Sequence, residues 1–325
     1  MQLMELVLMC ALSLALAATP AQAQQTGRTY RIGALSDGPD PASGLLSDAM
    51  RELGWIEGQN LGFERRSADT REQLPALAAE LVRLKVDLIF TFGTLAALAA
   101  KDATKTIPIV FRLGDDPVAN GLVTSFAHPG GNLTGFAVGL FEDKLLEVLK
   151  EAVPRASRVA YPLPVDIPAP TPAAEARRQA RMTAAARTLS MELRRIEIQR
   201  PPDFDVFFAA AKRRGADAVL VPNFVWFRPL LHRIGAAAAK SRLPAIGYDS
   251  QFAASGGLLS YGPLSIESIP RLAVQIDKIL KGTRPADVPV EQPTKFELVV
   301  NLRTAKSLGL SIPQALILRA SQIID

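Results

Sequence analysis

The chain has 325 residues, of which 48% are hydrophobic and 21% are charged, and its formal net charge is +5. This length and apolar content predict either one large domain or two moderate ones. The basic residues are scattered, without an arginine-rich arm or a basic helix, so we expect no nucleic-acid partner.

The N-terminus has the layout of a secretory signal peptide. The apolar run 6–18 is too short to span a bilayer, and the small-x-small sequence AQA follows at 21–23. We therefore predict a leader over residues 1–23, cleavage after Ala23 and a periplasmic mature protein. The alternative is a buried N-terminal helix. The first five residues carry no Lys or Arg, which indicates an atypical leader or a misassigned start codon.

Motifs for catalysis and metal binding are absent from the sequence. Cys10 is the only cysteine and lies inside the predicted leader, so the mature chain has no disulfide and no thiolate ligand. The two histidines, His128 and His232, form no zinc motif, and no P-loop, nucleophile elbow or dinucleotide fingerprint is present. We predict a protein that is not an enzyme and that has no cofactor and no metal site.

Apolar runs of strand length alternate along the chain with helical patterns. The runs are rich in Val and Ile, as is typical of buried parallel strands. The predicted strands are 31–35, 86–92, 107–113, 158–163, 216–222 and 243–248. The predicted helices are 74–85, 94–105, 141–153, 173–190 and 266–282. We expect Pro270 to separate the first turn of the last helix.

This alternation predicts doubly wound α/β sheets, and its rhythm occurs twice. The first set ends near 128–135, and the second begins after the helix at 141–153. The Pro-rich segment 282–294 reads as an extended connection. We therefore expect two α/β lobes joined by several crossings.

Ligands of open α/β sheets bind beyond the carboxyl ends of the strands, so the residues that follow the predicted strands are the candidate site. They are small hydroxyls, glycines, carboxylates, an amide and aromatics, a set that suits reversible capture of a small polar molecule. The candidates are Ser36, Thr91, Gly93, Thr94, Asp116, Asn223, Phe224, Tyr248, Asp249 and Tyr261.

Several of these residues have a structural alternative. Thr94 either binds an anion at a helix N-terminus or caps its own helix. Asp115 and Asp116 either accept a ligand ammonium or hold a turn. Tyr261 either contacts the ligand or packs the lobe, and the aromatic run at 224–227 forms either a stacking wall or a local core.

The sequence also resembles the periplasmic substrate-binding proteins of ABC transporters, in the branch that includes tryptophan-binding members. The resemblance covers nearly the whole mature chain. The stretches that carry it are RELGWIEGQNLGFERR (51–66), the segments 74–111, 116–135 and 144–160, GGLLSYGP (256–263) and the segment 277–313 with the final helix.

The resemblance implies two lobes of the type I periplasmic-binding-protein kind, which close on a ligand in the cleft between them. It implies three crossings, and a permease of the inner membrane as the partner. Lobe one is expected over 27–136 and 262–288, and lobe two over 137–261 and 289–325. The family's ligand contacts would map onto Ser36, Thr91, Gly93, Thr94, Asp116, Asp249 and Tyr261.

The chain departs from the family pattern at three places. Arg112 stands where relatives usually have small residues, the loop 162–172 is Pro-rich, and Asn223 with Phe224 replaces a position that is often acidic. Because an amino-acid zwitterion needs partners for both charges, we expect a small carboxylate ligand instead, with an amino acid kept as an alternative. Arg112 would clamp its carboxylate, and Thr94 would help.

Phe224, Trp226 or Tyr261 would cover the apolar part of that ligand. The alternative for Arg112 is a solvent-exposed position or an interlobe salt bridge. Two other function classes stay open, namely a periplasmic sensor for a signalling receptor and an exported α/β enzyme acting through Asp115 or Asp116. Nothing in the sequence indicates a stable oligomer, so we expect a monomer.

Overall fold

The computed structural model describes residues 28–38, 42–165, 171–199, 202–263 and 268–325. The predicted signal peptide lies outside these residues, as do residues 166–170 of the Pro-rich loop. Within the described part, no helix is both long and apolar enough to cross a membrane.

The first half of the chain forms a five-stranded parallel sheet in the order β2-β1-β3-β4-β5. The strands are β1 (Tyr30–Ser36), β2 (Leu61–Ser67), β3 (Leu88–Phe92), β4 (Ile109–Leu113) and β5 (Leu133–Ala137). The helices between them are α1 (Ala42–Glu52), α2 (Leu74–Arg83) and α3 (Thr94–Ala103). β3 is buried at every position, as expected for a strand with helices on both sheet faces.

The second half forms a seven-stranded sheet in the order β12-β11-β10-β9-β8-β6-β7, in which only the described pair β10 and β11 is antiparallel. The strands are β6 (Arg158–Pro164), β7 (Glu192–Ile198), β8 (Ala218–Leu220), β9 (Ala245–Gly247), β10 (Leu259–Pro263), β11 (Phe296–Asn301) and β12 (Gln322–Ile324). The helices are α4 (Glu142–Ala152), α5 (Pro172–Thr188), α6 (Phe204–Arg213), α7 (Leu231–Ser241), α8 (Ser250–Ala254), α9 (Ser268–Leu280), α10 (Leu302–Ser307) and α11 (Gln314–Arg319).

The chain passes between the two sheets three times. It leaves the first sheet between β5 and α4. It returns between β10 and α9, as the packing of α9 against α1, β4 and β5 shows. The third passage follows Glu291, whose backbone N–H donates to the Gly135 carbonyl of β5 at 2.9 Å. β11 then joins the second sheet. Two α/β lobes of the predicted class are therefore confirmed, while the lobe boundaries stay predictions.

Two buried clusters form the core. One fills the face of the first sheet that packs on α2 and α3, with Leu81, Ala97 and Phe111 among its members. The other begins on the opposite face, at residues such as Phe90, and continues into the second lobe around Phe208. The interior of the two lobes is thus continuous on the α9 side of the first sheet.

The expectation for Pro270 was wrong. α9 runs without interruption from Ser268 to Leu280, with Pro270 in its first turn. The N–H groups of a first helical turn have no partner within the helix, so a proline there removes no hydrogen bond.

Candidate ligand site between the two lobes

A cavity of about 30 Å³ lies between the lobes, at the carboxyl ends of the central strands. The first lobe contributes Phe92, Arg112, Gly114 and Val138, and the second lobe contributes Asn223, Arg228, Tyr248 and Pro263. This is the edge of the sheets at which ligands of open α/β folds bind. The volume suffices for about one or two water molecules, so a larger ligand requires the lobes to separate.

Arg112 lies in this cavity near the end of β4. Its guanidinium carbon is 5.1 Å from the centre of the Phe92 ring, and its Nε donates to the Ser268 hydroxyl at 2.9 Å. Burial, together with the nearby guanidinium of Arg228, lowers the pKa of Arg112 to about 10. The side chain is therefore charged at neutral pH. It makes no ion pair with any carboxylate in the part of the chain that the structure describes.

Arg228 is the residue that sequence reasoning missed. It lies on a short 3₁₀ helix, Val225–Leu230, and reaches the same cavity from the second lobe. The sequence signal that could have found Arg228 is its positive charge within the apolar run at 224–231. Like Arg112, Arg228 has no described carboxylate as an ion-pair partner.

The neutral polar residues of the cavity are Asn223 and Tyr248. The Asn223 amide faces Gly114, where its Nδ2 would lie 3.6 Å from an added Cβ, so the two lobes approach closely there. The Tyr248 hydroxyl lies 3.5 Å from the Phe224 carbonyl oxygen, and burial raises the pKa of Tyr248. Together these two uncharged side chains can form hydrogen bonds with a bound molecule.

Two carboxylates occupy the head of α3. The Thr94 hydroxyl donates to Asp115 Oδ2 at 2.8 Å, and the N-cap position belongs to Gly93. Asp37 lies against Gly93, and its buried Oδ1 has no hydrogen-bond partner. Burial raises the pKa of Asp37 to about 7, while a backbone N–H of Leu95 partly offsets this rise.

Burial also raises the pKa of Asp115. Because Gly93 holds the N-cap position and the Thr94 hydroxyl donates to Asp115, the alternative in which Thr94 caps its own helix is wrong. Asp115 and Asp37 lie at this helix end, and an anion contact at Thr94 stays a prediction.

Asp116 holds a turn and bridges the lobes. Its Oδ1 accepts the backbone N–H of Val118 at 2.9 Å and that of Ala119 at 3.1 Å, and its Oδ2 pairs with Arg177 of α5 at 3.0 Å. These contacts support the turn alternative, and a ligand contact at Asp116 stays a prediction.

The aromatic run belongs largely to the second lobe's interior. Phe227 is fully buried, and the Phe224 ring packs against it at 5.4 Å between centroids. The Arg178 guanidinium carbon lies 4.8 Å from the centre of the Phe224 ring. The side chain of Trp226 lies outside the described part of the structure. These contacts favour a local core over a stacking wall.

The remaining candidates have protein partners or are buried outside the cavity. Tyr261 stacks on Phe296 at 5.4 Å, and Asp249 caps α8 by accepting the Gln251 N–H at 3.0 Å. Ser36 donates to the Gly38 carbonyl at 2.7 Å, and Thr91 is fully buried. Of the predicted site residues, the cavity thus brings together Arg112, Asn223 and Tyr248, and ligand contacts stay predictions for all.

Among the described residues, no three His, Cys, Asp or Glu side chains cluster in a way that could hold a metal ion. The cavity walls instead combine two guanidiniums, an amide, a phenol and apolar surface. Such a set offers hydrogen-bond donors and apolar packing surface to a bound molecule.

The model of the family described as ABC transporter substrate binding protein matches residues 36–324. The chain belongs to this family. A curated relative, the tyrosine-binding protein of Clostridioides difficile strain R20291, is 27% identical over 282 residues, which cover 83% of this chain and 77% of the relative. The resemblance read from the sequence is therefore confirmed.

Solved structures share the fold of this ABC substrate-binding protein. A conserved domain protein from Vibrio cholerae O1 biovar El Tor superposes with a TM-score of 0.80 at 24% identity, covering 91% of this chain and 100% of the other. An ABC domain from Streptococcus pneumoniae, solved in complex with L-Trp, gives a TM-score of 0.78 at 21% identity with the same coverage.

Proposed function

We propose that this protein is the solute-binding component of an ABC importer and that it captures a small carboxylate-bearing ligand between its lobes. The observation that carries the proposal is the charge of the interlobe cavity. Arg112 lines it, is charged at neutral pH and has no described carboxylate partner. A partly buried cation of this kind is stabilised by an anion that enters the cavity.

The guanidinium of Arg112 would bind the ligand carboxylate through two parallel hydrogen bonds. Phe92 and Val138 would pack against the apolar body of the ligand, and the Asn223 amide would add a neutral hydrogen bond. The ligand class is an aromatic or aliphatic acid or an amino acid, since the tyrosine bound by the C. difficile relative also carries a carboxylate.

Capture would proceed by hinged closure of the lobes. The cavity of about 30 Å³ is too small for such a ligand, so the lobes must open to admit it. The three passages of the chain between the sheets are the natural hinge, because the φ/ψ changes of domain closure concentrate in a few connecting residues.

We place this function in the periplasm, as the leader predicted over residues 1–23 requires, with an inner-membrane permease as the partner and a monomer as the active form. Permease and ATPase genes beside this one would support the importer role. A histidine-kinase gene in their place would favour a sensor.

The test is a thermal-shift screen of amino acids, aromatic acids and aliphatic acids with the wild-type protein and Arg112→Gln. At saturation a ligand that binds the folded state adds about 3 kcal/mol of stability at 100 times its Kd, so a true ligand raises the melting temperature visibly. Arg233→Gln is the control, because Arg233 is exposed on α7.

We expect at least one carboxylic acid to stabilise the wild type and the control but not Arg112→Gln. Stabilisation by zwitterionic amino acids alone, undiminished in Arg112→Gln, would contradict the proposal, and so would the absence of any shift across the screen.

A further inference from the structure

The interlobe cavity contains two cations and no described anion. Arg112 reaches it from β4 of the first lobe, and Arg228 reaches it from the 3₁₀ helix of the second. The guanidinium of Arg228 contributes to the lowered pKa of Arg112, and both side chains line the same cavity. Like charges in a poorly hydrated space raise the free energy of the closed state unless a ligand neutralises them.

The rest of the cavity wall is uncharged. The other lining residues are Phe92, Gly114, Val138, Asn223, Tyr248 and Pro263. None of them can balance the ammonium of an amino acid. Of the nearby carboxylates, Asp115 already accepts the Thr94 hydroxyl, and Asp37 lies against Gly93.

We infer that the ligand is a small dicarboxylate, with one carboxylate on Arg112 and the other on Arg228. The inference rests on the proposed function and names the ligand class more narrowly. A monocarboxylate would leave one guanidinium without a counter-ion, and a zwitterion would add a further cation. A dianion neutralises both side chains, and each can form a bidentate pair.

The placement of the two arginines also couples binding to closure. Because Arg112 belongs to the first lobe and Arg228 to the second, a dicarboxylate joins the lobes through two ion pairs. A monocarboxylate reaches only one of them, or shares its single charge between both. The second carboxylate therefore contributes to affinity only in the closed state.

The test compares each diacid with its own monoamide, which keeps the size and removes one charge. Succinate, glutarate, adipate and isophthalate, each beside its monoamide, are titrated calorimetrically at pH 7.5 into the wild type, Arg228→Gln and the surface control Arg233→Gln. We expect the best diacid to bind the wild type and the control about 10-fold or more tightly than its monoamide.

In Arg228→Gln the diacid should fall to within about 2-fold of the monoamide, because the second carboxylate has lost its partner. Arg228→Lys keeps the charge and should retain part of the preference, which separates charge recognition from a packing defect. Circular dichroism melting establishes that each variant is folded before it is titrated.

A monoamide that binds as tightly as its diacid would overturn the inference, and so would an Arg228→Gln effect of equal size on both. If no diacid binds but a monocarboxylate or an amino acid does, the dicarboxylate inference fails while the proposed function survives. If no carboxylate of any kind binds, the proposed function itself fails.

Discussion

Asp37 is a buried carboxyl whose environment differs strongly from that of an exposed one. It follows β1 and lies against Gly93, with its buried Oδ1 unpaired. Burial raises its pKa from 3.8 to about 7. Between these two values the folded state binds more protons than the unfolded state, so the free energy of unfolding falls as the pH rises from about 4 to about 7.

Asp37→Asn removes this ionisation, and we therefore expect it to stabilise the protein at pH 8. The expected gain is about 1–3 kcal/mol, the cost typical of a buried polar group whose hydrogen bonds are incomplete. The gain should shrink toward zero near pH 4, where the carboxyl is protonated in both states. Urea unfolding at the two pH values measures the difference.

The control is Asp48→Asn, at an exposed carboxylate of α1 that pairs with Arg51. It should change the free energy of unfolding by less than about 1 kcal/mol at both pH values, because exposed ion pairs contribute little. The prediction is contradicted if Asp37→Asn raises the free energy of unfolding, relative to the wild type, by less at pH 8 than at pH 4.

Sequence reasoning found Arg112 because a cation directly at the end of an apolar strand departs from the family pattern. It missed Arg228, because a 3₁₀ helix inside an aromatic run has no periodicity that shows which side chains face the cleft. Asp115 and Asp116 are neighbours with different partners, Thr94 for Asp115 and Arg177 for Asp116. The sequence does not show these partners, because they depend on the direction in which the turn points each side chain.

β5 depends on a glycine that packs against the neighbouring strand. Gly135 has a φ of +153°, and an added Cβ would lie 2.1 Å from the Phe111 carbonyl oxygen of β4. Gly135→Ala should therefore lower the free energy of unfolding by about 3 kcal/mol, the upper part of the range for overpacking. The midpoint of urea unfolding measures this change.

Gly44→Ala is the matched control, since Gly44 lies in α1 with nothing within 4 Å of an added Cβ. Alanine is the better helix former, so this variant should gain about 0.5–1 kcal/mol. Equal changes in the free energy of unfolding would show that the close approach of Gly135 to Phe111 does not determine the effect of the substitution.

Asn301 ties the start of α10 to α8. It is buried, its Oδ1 accepts the Thr304 N–H at 2.9 Å, and its Nδ2 donates to the Ala253 carbonyl at 2.8 Å. Asn301→Ala leaves the Thr304 N–H unpaired, whereas the Ala253 carbonyl still accepts the Gly256 N–H at 3.1 Å, so the substitution should cost about 1–3 kcal/mol of unfolding free energy.

The comparison variant is Asp203→Ala, which removes the exposed N-cap of α6 and its 3.0 Å bond to the Val206 N–H. An exposed cap typically contributes about 1 kcal/mol, so its loss should be the smaller of the two. If thermal or urea unfolding ranks the two losses in the reverse order, burial is not what makes Asn301 important.

The strands β1, β3, β4, β6, β8 and β9 and the two longest described helices, α5 and α9, could be predicted from the sequence, because continuous apolar runs and helical patterns are strong local signals. The edge strand β7 could not, since its residues ELRRIEI alternate charges with partly buried positions. Nor could the short β12, whose three residues become a strand only by pairing with β11.

The lobes of the whole molecule are linked by side chains as well as by the chain. Arg177 of α5 pairs with Asp116 of the first lobe at 3.0 Å. Arg177→Ala should weaken ligand binding by less than about 5-fold, because a pair with one exposed partner contributes at most about 1 kcal/mol to the closed state. Calorimetric titration with the best acid measures the effect.

Arg181→Ala is the control, because Arg181 pairs with Asp143 at 2.9 Å inside the second lobe. It should leave the affinity unchanged, and 0.5 M NaCl should reduce the difference between the two variants through screening. An equal loss of affinity in both would mean that the Arg177 pair does not act on closure.

The measurement that decides whether this protein captures a carboxylate between its lobes is calorimetric titration of the best-stabilising acid into wild type and Arg112→Gln at pH 7.5. We predict one ligand per chain and an affinity about 10-fold or more lower in the variant, because a hydrogen-bonded charge pair is lost. Equal affinities in the two proteins would contradict the account.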